Sequence, residues 1–380
     1  MKVLIAIDSF KGSISSLEGS NAIALGIEEV YPDATIITIP LADGGEGTVE
    51  SFIQATNGEM IETTVTGPLM EKISAMYGIL GDKKTAVIEV AAACGLPLVP
   101  SDKRNPKLTT TFGVGELILD ACHRGCREFV IGLGGSSTND AGVGMLQALG
   151  FRFLDNKDQE VGCGGQHLKD ISKIDASAVH PIVKECTFRI ACDVNNPLYG
   201  PNGAAYIYGP QKGADETMVA ELDDGLKHFS KIVLQTMNIN IHSFPGAGAA
   251  GGLGAAFSGF LQGQLVSGVE LVLDSVGMNQ LLEGVDFVIT GEGKMDGQTS
   301  MGKAPLGVAK RAQQKNIPVI ALAGAMTGDT SALNELGITS FFSIINEPMT
   351  LDEAMNTSHT FENLKSASSQ IFRLIKAVKG

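Results

Sequence analysis

The sequence predicts an α/β protein with two α/β domains, one Rossmann-like with a parallel sheet and a second, mixed α/β domain formed by inserted segments. Three observations carry this expectation. Short apolar runs recur at residues 3–7, 35–39, 129–133, 287–290, 319–323 and 341–345, as expected for strands buried on both faces. Helical patterns lie between them, and strands alternating with helices give a layered α/β domain. A chain of 380 residues suits two domains, and 44% hydrophobic with 18% charged content can supply their cores.

The elements follow in order. Residues 3–7 read as a first strand, because the apolar run is too short for a signal peptide. Ser15-x-x-Glu18 is a capping box, Ile23, Ile27 and Val30 share a helix face behind it, and Pro32 stops the helix. Residues 72–80 and 84–90 read as two strands joined at Gly81-Asp82, a hairpin signal. From about 150 to 280, short strands at 151–154 and 188–192 mix with turn-rich segments. A helix is expected over 306–315, with Pro305 suited to its first turn. Thr350-x-x-Glu353 opens a C-terminal helix or helix pair, with Leu364, Ile371, Leu374 and Val378 on one stripe. The expected division gives residues 1–60, 106–145 and 285–380 to the Rossmann-like domain and 61–105 and 146–284 to the second. The cleft between them is the expected site.

Composition narrows the function. A net charge of −14 without a basic stripe argues against nucleic acid and against anionic membranes. The six Cys form no Cys-x-x-Cys pair and read as reduced thiols. No stretch of 18 apolar residues spans a membrane, so the cytoplasm is the expected location. The six His show no metal or triad spacing, and there is no Gly-x-Ser-x-Gly elbow. The 47 Gly fall largely in discrete clusters, which favours tight turns and ligand loops.

Six loops carry the chemistry, and four directly follow strand-like runs, where open α/β sheets gather ligands. Asp8-Ser-Phe-Lys-Gly-Ser13 offers a carboxylate, a cation and two hydroxyls. Ala42-Asp-Gly-Gly-Glu-Gly-Thr48 allows close backbone approach beside two carboxylates. Residues 132–142, Gly-Leu-Gly-Gly-Ser-Ser-Thr-Asn-Asp-Ala-Gly, put hydroxyls and free amides at a helix start, an anion cradle. Asp193-Val-Asn-Asn-Pro-Leu-Tyr-Gly200 places a carboxylate at a strand end beside Asn195 and Asn196. Gly246, Gly248 and Gly251 match a dinucleotide fingerprint, but no clean βαβ unit surrounds them. Residues 290–305 read as a strand end, a glycine-rich loop and a helix N-terminus, an arrangement that attracts phosphate. Gly297, Gly302 and Lys303 have P-loop spacing there, with Ala304 where that motif wants Ser or Thr.

In this order the segments 8–13, 42–48, 132–142, 193–203, 245–254 and 290–305 resemble the bacterial glycerate kinase family, the class containing the glycerate 2-kinases (class I). The resemblance spans essentially the whole chain. It implies that ATP and D-glycerate give ADP and phosphoglycerate, with 2-phosphoglycerate favoured over 3-phosphoglycerate as the product, and with magnesium. The implied partners are these small molecules, and a homodimer is one assembly open to the chain. The competing readings are an ATP-dependent kinase of another small hydroxy acid or polyol and, remotely, an NAD-dependent oxidoreductase.

Phosphoryl transfer needs positioning and charge neutralisation, a carboxylate to take the substrate proton, and one or two carboxylates for magnesium. Asp193 is the preferred general base and Asp296 the second choice. Lys11 and Lys303 are expected to neutralise phosphoryl charge. Asp8, Asp43 and Asp296 compete for magnesium. Phosphate and substrate binding is expected from Ser9, Gly44, Gly45, Gly134, Gly135, Ser136, Ser137, Thr138, Asn195, Gly291, Gly293, Thr299 and Lys303.

Overall fold

The structure is a computed structural model that describes residues 1–41, 48–295, 304–327 and 332–379. It has two compact α/β units, Met1–Asp43 with Val269–Gly380, and Gly44–Gly268.

The first unit holds a five-stranded, all-parallel sheet in the order Ser340–Ser343, Val319–Met326, Phe287–Met295, Lys2–Ile7 and Thr35–Pro40. Val3, Ile5 and Ile7 alternate onto one face and pack with Ile23, Ile27, Leu364 and Phe372. The last four come from the helices Ser16–Glu28 and Thr357–Lys379. The first of these helices is closed by the expected capping box of Ser15 and Glu18. Gly26 lets the two helices touch. A Cβ there would lie 2.2 Å from both the Lys365 carbonyl oxygen and Ser368 Oγ.

The second unit holds a six-stranded mixed sheet in the order Gln264–Val266, Thr187–Ala191, Glu128–Gly132, Thr85–Glu89, Lys72–Ile79 and Glu59–Thr66. The first four strands are parallel neighbours, and the last two pair antiparallel. The expected hairpin at Gly81-Asp82 is present, with Ile79 opposite Ala86. The core includes stacked Phe129 and Phe188, whose rings are 5.0 Å apart.

The structure corrects several expectations. Residues 48–60, expected in the Rossmann-like domain, belong to the second unit. Residues 106–145 join the second unit, because Glu128–Gly132 pairs between Thr85–Glu89 and Thr187–Ala191. The helix Gly268–Ser275 joins the chain ends instead, where its Glu270 and Asp274 hold Arg311. Residues 290–295 are not loop. Val319–Met326 is long enough to continue the pairing, so Phe287–Met295 runs through Gly291 and Gly293 as strand. On the C-terminal helix, Leu374 and Val378 are 63% and 79% exposed, while the buried stripe is Thr360, Leu364, Ser368 and Phe372. That stripe keeps strict four-residue spacing toward the helix it covers.

Candidate active site

In the first unit, a cavity of about 560 Å³ opens at the C-terminal strand ends. The apolar strand Lys2–Ile7 ends at Asp8, whose N–H donates to the Gly291 carbonyl at 2.9 Å. Asp8 Oδ1 accepts from the Ser9 N–H at 2.7 Å and from Ser9 Oγ at 3.4 Å. Phe10 then turns back, donating its N–H to Ile14, with Gly12 in the left-handed region at φ 78°. Gly293 permits this turn to lie against its neighbour, since a Cβ there would be 3.3 Å from Phe10 Cα.

Asp8 and Glu292 are both buried, 7% and 6% exposed, and both line this cavity with Lys11 and Lys294. Phe10, Ile344 and Met355 supply an apolar wall. Two carboxylates and two ammonium groups beside an apolar surface suit a polyanion that also carries an apolar part. Among the described residues, no group of three or more His, Cys, Asp or Glu is gathered as a metal centre. Magnesium does not require one, because it binds through one or two carboxylates and otherwise keeps water or phosphate oxygens.

In the second unit, residues 132–142 follow the strand Glu128–Gly132. Gly134 and Gly135 are exposed, whereas the stretch from Ser136 to Asp140 is buried. Ser137 is tied into the loop, its N–H and Oγ both donating to the Cys94 carbonyl at 2.8 and 2.9 Å. Thr109 Oγ1 donates to the Ser137 carbonyl, and Asp140 accepts from Thr111 N–H, Thr111 Oγ1, Gly142 N–H and Gly144 N–H. Burial pushes the Asp140 carboxyl up, against these four donors, which favour its ionised form.

Lys212 completes the loop, and sequence reasoning missed it. Its side chain is buried, and Nζ donates to Ser136 Oγ at 2.9 Å and to the Thr138 carbonyl at 2.7 Å. Burial lowers its pKa to about 8, while Cys94 and Asp140 oppose the shift. Its sequence context, Pro210-Gln-Lys-Gly213, carries no motif that singles it out.

Asp193 and Asn195 are exposed just beyond the strand Thr187–Ala191, next to Glu128–Gly132 in the sheet. Asp193 Oδ1 accepts the Gly268 N–H at 3.1 Å. Asn196 is structural, bridging the Asn202 carbonyl and the Tyr208 hydroxyl. The two strand-end loops of this unit, 132–142 and 193–203, therefore sit side by side, as the strand order predicts.

The glycines of residues 245–254 are not a dinucleotide loop. Gly246, Gly248 and Gly251 are buried, and a Cβ on them would fall 2.7 Å from Cys192 Sγ, 2.3 Å from the Pro197 carbonyl oxygen and 2.0 Å from the Thr138 carbonyl oxygen. The segment packs beneath the 132–142 and 193–203 loops, and its glycines serve close backbone contact. Asp43, Gly44, Gly45, Asp296, Thr299 and Lys303 lie outside the described residues.

The model of the glycerate kinase family matches residues 3–376. The glycerate 2-kinase of Escherichia coli strain K12 is 47% identical over 371 residues, covering 98% of this chain and 97% of that protein. The glycerate kinase of Bacillus subtilis strain 168 is 46% identical over 379 residues, covering 100% and 99%. A crystal structure of a candidate glycerate kinase 2 from Salmonella typhimurium LT2 matches with a TM-score of 0.91 at 42% identity, covering 100% of this chain and 99% of that one. Both units, with every strand-end loop described above, fall inside the matched span, so the chain belongs to the glycerate kinase family.

Proposed function

We propose that the protein transfers the γ-phosphoryl group of ATP to D-glycerate, with magnesium, and releases 2-phosphoglycerate. The observation that carries this reading is full-length similarity: 47% identity across 98% of the chain to a protein named glycerate 2-kinase.

The described residues fit the chemistry. Asp8 is a hard oxygen donor beside buried Glu292 and is the preferred holder of magnesium, which neutralises charge on the transferring phosphoryl group. Lys11 and Lys294 line the same cavity and balance phosphate charge. In the second unit, Gly134 and Gly135 present exposed backbone to a substrate anion, and Ser136 is held in place by Lys212. Ser137 contributes through loop shape, since its hydroxyl is committed to Cys94. Asp193 is the proposed general base. As the bond between the γ-phosphorus and the bridging oxygen breaks and the glycerate oxygen bonds to phosphorus, Asp193 takes the hydroxyl proton.

The test uses purified full-length protein with ATP, magnesium and D-glycerate. ADP release is followed by a pyruvate kinase and lactate dehydrogenase couple, and the product is offered to enolase with no mutase present. Conversion by enolase identifies 2-phosphoglycerate. A requirement for added mutase would assign 3-phosphoglycerate instead. ADP release with another hydroxy acid but not with D-glycerate would overturn the substrate.

A further inference from the structure

Cys122 and Cys186 are far apart in sequence and meet in the second unit with their sulfurs 3.5 Å apart. Cys122 lies in the last turn of the helix Phe112–His123 and is buried. Cys186 directly precedes the strand Thr187–Ala191 and is half-buried. It also lines an open cavity of about 690 Å³ with Lys184, Phe188, Met237 and Phe260, so a small oxidant has a path to it.

Arg127 braces the pair. Its Nη1 donates to the Cys122 carbonyl at 3.0 Å and the Cys126 carbonyl at 2.8 Å, and its Nε bonds Glu185, the neighbour of Cys186, at 3.1 Å. A buried thiol in contact with a half-exposed one, beside a fixed guanidinium, is the environment of a reactive cysteine and its resolving partner. Closing the gap from 3.5 Å to a disulfide length requires a shift of about 1.5 Å.

We propose that Cys186 is a peroxide-reactive thiol and Cys122 its resolving partner, forming an oxidation site in the second unit. The Cys186 thiolate attacks one oxygen of hydrogen peroxide, the O–O bond breaks, and hydroxide leaves a sulfenic acid. The Cys122 thiol then attacks that sulfur, its proton goes to the departing hydroxide, and water leaves as the S–S bond forms. Two thiols are oxidised and one peroxide is reduced to two waters. Two equivalents of a small thiol restore the pair and become a disulfide themselves. A hydrogen bond from Cys122 and the charge of Arg127 hold the Cys186 thiol below the usual thiol range, whereas burial pushes Cys163 and Cys192 up.

The test treats the full-length protein with hydrogen peroxide at pH 7.5, blocks remaining thiols with N-ethylmaleimide and maps the peptides by mass spectrometry. The expected result is a linked Cys122–Cys186 peptide and a fall from six free thiols to four. Cys186 should be lost before Cys163 and Cys192, because it lies against a second thiol and near the Arg127 guanidinium. In Cys122→Ser, dimedone should trap Cys186 as the sulfenic acid. Earlier oxidation of Cys163 or Cys192 in the wild type would overturn the proposal. So would a trapped Cys186 sulfenic acid with Cys122 still open to alkylation. The wild-type map decides even if the variant fails to fold.

Discussion

Replacing Lys212 with Met tests the energetics of the 132–142 loop. The substitution keeps the long apolar stem and removes the buried ammonium that bonds Ser136 Oγ and the Thr138 carbonyl. Burial lowers the Lys212 pKa from 10.5 to about 8. An unfolded lysine keeps its proton to about pH 10.4. Below pH 8 both states are protonated, so the difference between wild type and variant is constant. Between pH 8 and about 10.4 the unfolded chain holds the extra proton, so the Lys212 contribution to wild-type stability rises with pH. At about 1.4 kcal/mol per pH unit, wild type should gain about 2 kcal/mol on Lys212→Met between pH 7 and pH 9.5. Cys94, whose thiol burial holds up at about 12, is present in both proteins, so its own pH dependence cancels in the difference. Urea unfolding of both proteins at pH 7, 8, 9 and 9.5 reads the difference directly. Parallel stability curves across that range would refute the buried-ammonium argument.

Three further substitutions carry predictions. Gly251→Ala should cost about 2–4 kcal/mol, combining a φ of 69° with a Cβ 2.0 Å from the Thr138 carbonyl oxygen. Gly125→Ala, at φ 101° with open space around it, should cost only the conformational part, about 1–2 kcal/mol, so equal urea midpoints would contradict the packing account. Asp193→Asn should lower turnover by about 10²–10⁴ with the urea midpoint kept within experimental scatter, and near-wild-type turnover would remove Asp193 from the base role.

Features set by adjacent residues were legible in the sequence. The capping boxes at Ser15 and Thr350 and the hairpin at Gly81-Asp82 each depend on a few neighbouring side chains, and each formed as read. The strand-end loops were legible for a related reason, since an apolar run followed by Gly, Asp and Ser marks both the strand and its exit. On the C-terminal helix, Leu364 is buried and Ile371 packs against the core, whereas Leu374 and Val378 keep the helical spacing but stay exposed.

The sequence by itself therefore determined the α/β class and the family, and it marked the strand ends near Asp8, Gly132 and Asp193 where loops begin. Tertiary structure decided which loops share a sheet, because strand pairing is fixed by partners distant in the chain. Glu128–Gly132 found both its neighbours that way and took residues 106–145 with it. Val319–Met326 turned residues 290–295 from expected loop into strand by supplying carbonyls and amides along its full length. Lys212 reached the 132–142 loop across more than seventy residues of chain, and no local pattern encodes that meeting. The glycines of 245–254 show the same division: the sequence displays them as a motif, and only the packed backbone of Thr138 and Pro197 explains why a side chain has no room there.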